Sequence, residues 1–299
     1  MRRFVLLPHI KIHNANAMSS PYTIGFPAMT AWLGAVHALQ RRLNEVGFSE
    51  LIFSSVAVSC HDLNLQTYKG NGDYVHSIIG TSNPLDKDGS RPAFIEEARC
   101  HLEVSLLIEY KNVDPDHSDH LLQKVDAILI QIKMASGDIQ SAKKSELHLV
   151  DEDIESSVRA LTRKLMLGHV LLERRDLLVA AMTDGEDVLT ALISHLSVQH
   201  RSEQDADGKV SWTSKRRESG WLVPIAVGFQ GISELGKAVN QRDTDTPHRF
   251  AESVVTLGEF VMPYRIQNLD HMLWQYHADQ AKNLYVCRTI ESTTNTLNA

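Results

Sequence analysis

The stretch Leu7-Pro-His-Ile-Lys-Ile-His-Asn-Ala-Asn-Ala-Met-Ser-Ser-Pro-Tyr-Thr-Ile-Gly-Phe-Pro-Ala28 carries the chain out of a strand and into a helix. In its first half Ile10 and Ile12 alternate with His9, Lys11 and His13, which is the period-two pattern of a strand with one apolar face and one face of donors. Asn14, Asn16, Ser19, Ser20 and Tyr22 then follow. The run holds no acid and leads to a helix N-terminus, whose unpaired amides favour anions, so it is a candidate surface for phosphates or base edges. The same residues also suit a polar crossover that satisfies its own backbone through Asn and Ser turns.

Upstream, the strand pattern extends back to Arg3. Downstream, Pro27 to Val46 has a helical apolar face through Ala31, Leu33, Val36, Leu39 and Leu43, with Arg41 and Arg42 off that face and Gly47 placed to stop it. Leu51 to Cys60 and Leu102 to Tyr110 suit strands. His120 to Met134 has helical spacing, and Ile139 to Val150 suits a returning strand. The order βαββαβ predicts an α+β fold, a modified ferredoxin-like or RNA-recognition domain over residues 1–150. Residues 64–98, rich in glycine and turn residues, form a long insertion that a compact domain keeps for function or leaves disordered.

Residues 151–299 predict a mostly helical elaboration with an added strand region, packed on the first domain. Asp151 to Leu165, Arg175 to His200 with a break at Gly185, Thr246 to Met262 and Ile266 to His277 suit helices. Gly168 to Glu173 and Trp221 to Gln230 suit strands, and the polar residues 201–219 suit a surface loop.

A chain of 299 residues that is 43% hydrophobic can fill a sizeable core. No segment reaches the roughly 18 uninterrupted apolar residues of a membrane span, and the N-terminus lacks a signal-peptide core, so a cytoplasmic protein without membrane contact is expected. The net charge of −7 disfavours coating of nucleic acid by bulk electrostatics, leaving local basic spots such as Arg41 with Arg42, Lys143 with Lys144, and Lys215 to Arg217. Cys60, Cys100 and Cys287 form no Cys-x-x-Cys pair and suit buried thiols rather than disulfides or zinc.

Catalytic motifs are absent: there is no Gly-x-Ser-x-Gly elbow, no Walker loop and no Gly-x-Gly-x-x-Gly. Asp114-Pro-Asp-His117 with Asp119 and His120 sits at a helix start, where aspartates act as caps, so no metal and no cofactor are expected. Cys100 beside His101 makes a nucleophile only if the two side chains meet and the thiol is acidified.

The segments Leu6-Leu7-Pro8, Asn14-Ala-Asn-Ala17, Ser19-Ser20-Pro21, Gly25-Phe26-Pro27 and Val36-His-Ala-Leu-Gln-Arg-Arg42 resemble the second Csy subunit family of type I-F CRISPR surveillance complexes, a Cas-five-like family. Asn83-Pro84-Leu85 with Asp88-Gly89-Ser90, Glu96-Glu97 to Leu107, Gly220-Trp-Leu-Val-Pro224, Thr246-Pro247 with Arg249-Phe250, and Gly258-Glu259 continue the resemblance in order. The resemblance implies a non-catalytic scaffold that caps the five-prime handle of the CRISPR RNA. It also implies pairing with the large Csy subunit, contact with the backbone Csy subunit, and an indirect relation to target DNA. It also implies a thumb-like projection, which the length of the insertion assigns to 64–98. The chain departs from related RNA-binding Cas proteins at Ala135-Ser136-Gly137-Asp138, where one glycine replaces a glycine-rich turn and Asp138 would repel phosphate.

Under that resemblance His13, Asn14, Asn16, Ser19, Ser20 and Tyr22 are expected to position handle nucleotides, with Arg41, Arg42, Arg91 and Arg249 on phosphates. The competing expectation is a metal-independent endoribonuclease for CRISPR RNA precursors, with His13, His37 or His101 as general base.

Overall fold

Strand β1 (Arg2–Asn16) has strands paired along both of its edges in the computed structural model, which describes residues 1–79, 85, 87–91, 97–205, 207–239, 241 and 243–290. Its first half is apolar on both faces because both are covered: Phe4 and Leu6 enter one core cluster, Val5 and Leu7 another. From His9 onward only one face is covered. Ile10 and Ile12 are fully buried while Lys11 and His13 are exposed, as the alternation predicts.

A short hairpin, β2 (Met18–Ser20) and β3 (Thr23–Ile24), leads into helix α1 (Met29–Glu45). Met29, Trp32, Leu33, Val36, Leu39 and Leu43 line its buried stripe, and Gly47 stops it at φ +114°, a conformation that favours glycine. Then come β4 (Ile52–Leu65), a small hairpin of β5 (Thr67–Tyr68) and β6 (Ser77–Ile78), and β7 (Arg99–Lys111). Helix α2 (Ser118–Leu129) is shorter than predicted, because Lys133–Met134 leaves it as β8 and pairs with β9 (Gly137–Ser141). The single strand expected over 139–150 is therefore two, with β10 (Glu146–Val150) following a turn.

β4, β7 and β1 lie side by side, each antiparallel to its neighbour, and β1 pairs on its far edge with β9 and β10. β1 and β4 thus run parallel across α1, and β7 and β10 run parallel across α2. Both helices pack on the same face, in the cluster that holds Val5, Leu7, Ile10, Ile12 and Val104. The opposite face is covered at one end by α3 (Glu155–Lys164) and by short helical turns at Pro263–Arg265 and Leu269–His271, over Phe4, Leu6 and Leu107. At the other end that face is open.

The chain continues through β11 (His169–Glu173), α4 (Arg175–Thr183), α5 (Val188–Leu196), β12 (Val198–Gln204), β13 (Val210–Arg216), β14 (Trp221–Gly231), β15 (Ala251–Val261), β16 (Trp274–Asp279) and β17 (Leu284–Thr289). The prediction of a mostly helical second half is overturned. β11 and β14–β17 extend the same sheet, joining it beside β4. Thr246 to Met262, expected as a helix, is largely β15, and its second half is buried on both faces, which erases the alternation that marks a strand. Ile266 to His277 is a helical turn followed by β16. The described residues of 201–219 are at the surface as expected, but most belong to the exposed ribbon of β12 and β13 rather than to a loop. Within the 64–98 insertion, β5 and β6 form a hairpin; Asn83, Pro84 and Glu96 of the resemblance, and part of the thumb-like segment, lie outside the described residues. Among the described residues no helix is long and apolar enough to cross a membrane.

Candidate nucleic-acid interface

Where the open face begins, β1 departs from regular pairing twice. Register shifts fall between Leu7 and Ile10 and between Ile12 and Ala15, and each carries a left-handed residue, His9 at φ +51° and Asn14 at φ +59°. Asparagine tolerates this conformation better than most side chains. The second bulge sets His13 and Asn14 against His101 of β7. The Asn14 amide donates to His101 Nδ1 at 3.1 Å, so the neutral His101 ring carries its proton on Nε2. The His13 and His101 rings stack, with centroids 4.2 Å apart and planes 16° from parallel.

The first bulge builds a second pair. His9 stacks on His61 of β4 at 4.3 Å. The two meet above Ser105, whose hydroxyl takes the His9 amide at 3.0 Å and bonds His61 Nε2 at 2.7 Å. Burial, reinforced by His9, pushes the His61 imidazole down to about 4, so it is neutral at physiological pH. His9 Nδ1 donates to Glu103 at 2.7 Å, and Lys11 Nζ lies 3.8 Å from the same carboxylate. The hydrogen bond from His9 is the main reason Glu103 titrates below the usual carboxylate range. Beside the His13–His101 pair lies an open trough of about 290 Å³ lined by Lys11, His13, Asp62, His101, Glu103 and Gln140, with Ile12 and Leu102 beneath.

The expected site residues divide. His13 and Asn14 stand together on this face. Asn16 turns back on its own chain, donating to the Met18 carbonyl and accepting from the Met18 amide, both at 3.1 Å. Ser19 and Ser20 bond the Thr23 hydroxyl at 2.9 and 2.7 Å, and Ser20 Oγ accepts the Tyr22 amide. For these three residues the self-satisfied crossover describes the structure. Tyr22 is 72% exposed.

Arg41 and Arg42 are exposed at the far end of α1, about 18 Å along the helix from its start. Arg42 also reaches the Gln131 carbonyl at 3.4 Å. Arg91 is exposed in the insertion. Arg249 packs against Gly231 and donates to the Asn283 side-chain carbonyl, so its guanidinium is engaged within the fold.

Sequence reasoning missed His9, His61, Asp62 and Glu103 as neighbours of His13. The available signal was the histidines at alternate positions of β1; their partners on β4 and β7 depend on register. His37 is exposed on α1 beside a different cavity. Cys100 points into the core, on the side of β7 opposite His101, and burial pushes its thiol up to about 11, which removes a Cys100–His101 dyad. Asp114 caps the Asp116 amide at 3.0 Å, as expected for a helix start. Among the described residues no group of three His, Cys, Asp or Glu side chains is placed to hold a metal ion.

A family model described as CRISPR-associated protein (Cas_Csy2) matches residues 5–287. A protein named CRISPR-associated protein Csy2 from Pseudomonas aeruginosa (strain UCBPP-PA14) is 35% identical over 308 aligned positions, covering 94% of this chain and 93% of the relative.

Proposed function

Because the chain belongs to the Csy2 family of CRISPR-associated proteins, we propose that it is a structural, guide-RNA-binding subunit of a type I-F CRISPR surveillance complex, acting in defence against foreign DNA. It holds the five-prime handle of the CRISPR RNA beside the large Csy subunit, and the backbone Csy subunit continues from there. The observation that carries this is the open end of the β4-β7-β1-β9 face, where Lys11, His13, Asn14 and His101 present donors and ring faces. The strand order, with α1 and α2 on the opposite face, supports the ferredoxin-like, Cas-five-like assignment, since RNA-recognition sheets present their helix-free face to single-stranded bases.

The role is positional rather than catalytic. His9 is engaged with Glu103, His61 with Ser105, and His101 with the Asn14 amide, so these rings are fixed as parts of a surface. Arg41 and Arg42 suit phosphate contacts, which confer affinity without sequence selection.

Incubating the purified chain, and the assembled complex, with labelled CRISPR RNA precursor tests both roles. Retention of the guide through purification, with precursor left intact, is the expected result. Metal-independent cleavage within the repeat, abolished by His13→Ala or His101→Ala, would establish the endoribonuclease instead.

A further inference from the structure

We propose that the trough beside the His13–His101 stack is a slot for one unstacked nucleobase of the bound RNA, selective for a base with an exocyclic amino group. The proposal rests on the guide-RNA reading above and adds the site and its chemistry.

Three observations converge. The two imidazoles are already parallel and 4.2 Å apart, so a planar base laid against the pair continues an existing stack instead of building a new one. The rings are held from behind: the Asn14 amide fixes His101, and the bulge that places His13 is set by the left-handed Asn14, so little side-chain freedom is lost on binding. The trough, about 290 Å³, accommodates a single base, and no described side chain fills it.

The lining decides which part of a nucleotide enters. Asp62 and Glu103 place carboxylates in the trough, and these repel a phosphate but accept hydrogen bonds from an amino group. Lys11 and Gln140, both exposed at the margin, are placed to meet the sugar-phosphate as it passes over the edge. A base edge with an amino group (cytosine, adenine or guanine) therefore fits, and uracil, which offers only carbonyls beside its ring N–H, fits less well. Glu103 is already engaged by His9 and Lys11, so Asp62, exposed on the β4 side, is the acceptor that remains to choose the base.

The test uses the assembled complex containing the full chain and a series of guide RNAs, each with one abasic handle position. Ultraviolet crosslinking with peptide mass spectrometry is expected to find a nucleotide on the peptide bearing His13 or His101. One abasic position should weaken guide binding about five- to 160-fold, the range for one stacked base. The His13→Ala, His101→Ala double variant should weaken the intact guide equally and be indifferent to that abasic position. His101→Tyr, which keeps a ring face, should restore most of the binding, and Asp62→Asn should narrow the preference against uracil at that position.

If Arg41→Ala with Arg42→Ala weakens guide binding while the histidine variants bind every guide as wild type does, the chain binds RNA and the slot is wrong. If the face crosslinks to a partner protein and not to RNA, the slot is likewise wrong. If no nucleotide crosslinks anywhere on the chain and the complex forms without RNA contact to it, the guide-RNA reading falls and takes the slot with it.

Discussion

Arg2 closes a two-pronged ion pair on Glu109, Nε to Oε1 at 2.8 Å and Nη2 to Oε2 at 3.0 Å, across the pairing of β1 with β7. The same guanidinium reaches Glu152 at 2.8 Å and Asp270 at 2.6 Å, so one residue at the start of the chain ties the central sheet to α3's leading turn and to the helical turn at Leu269–His271. Burial alone would raise the Glu109 carboxyl, but Arg2 and the hydroxyls of Ser54 and Ser55 hold it below its ordinary range.

Removing Arg2 strands a buried carboxylate. Arg2→Ala is expected to destabilise the protein by about 3–5 kcal/mol, and Glu109→Gln by less, because the amide still accepts hydrogen bonds. Denaturant midpoints of the two variants check this; equal losses would show that the charge on Glu109 is immaterial.

Acid weakens the fold through His61. Its folded value lies at about 4 against 6.5 in the unfolded chain, so between these values the unfolded chain binds a proton that the folded protein refuses. The contribution of His61 is complete above about pH 6.5 and is lost as pH falls toward 4. His148 and His195 are shifted in the same direction, so His61→Gln is expected to flatten the decline in that window without abolishing it. Urea melts at pH 7.5, 6 and 5 measure the difference in slope.

Gly228 lies where β14 crowds β17, and a Cβ there would sit 2.0 Å from the Tyr285 carbonyl oxygen. Backbone cannot swing aside as a side chain can. Gly228→Ala is expected to cost at least about 1–3 kcal/mol by overpacking. Gly236→Ala, with nothing within 4 Å of its Cβ, serves as the control and should melt as wild type does.

For RNA, the salt dependence separates charge from stacking. Losing Arg41 and Arg42 together should make the slope of log K against log salt shallower by about 1.4 if both meet phosphates of a single strand. His13→Ala and His101→Ala should lower affinity and leave that slope unchanged. Filter binding across a salt series from about 50 to about 200 mM distinguishes the two.

The elements of the first half are legible because each buries one face. Ile10 and Ile12 against Lys11 and His13, and the Met29-to-Leu43 stripe of α1, carry the periods of a strand and a helix on their surface. β15 is illegible for the opposite reason: from Thr256 to Val261 both faces are buried, so no alternation of exposed and buried positions marks it as a strand. Trp274 misleads similarly. It is wholly buried with its indole N–H on the Leu171 carbonyl at 2.9 Å, a tertiary bond that opens β16 where local spacing suggests a helix.

At the candidate site, the residues themselves determined that the end of β1 is polar, free of acids and rich in turn-formers. Only the tertiary structure decided which of them face outward together. Asn16, Ser19 and Ser20 spend their hydrogen bonds on nearby groups, which local sequence also permits, whereas the His13–His101 and His9–His61 stacks exist because two bulges and the register of three strands align residues far apart in the chain. Hydrophobic period is a property of neighbours along the chain; register is a property of strands that meet only once the sheet has formed.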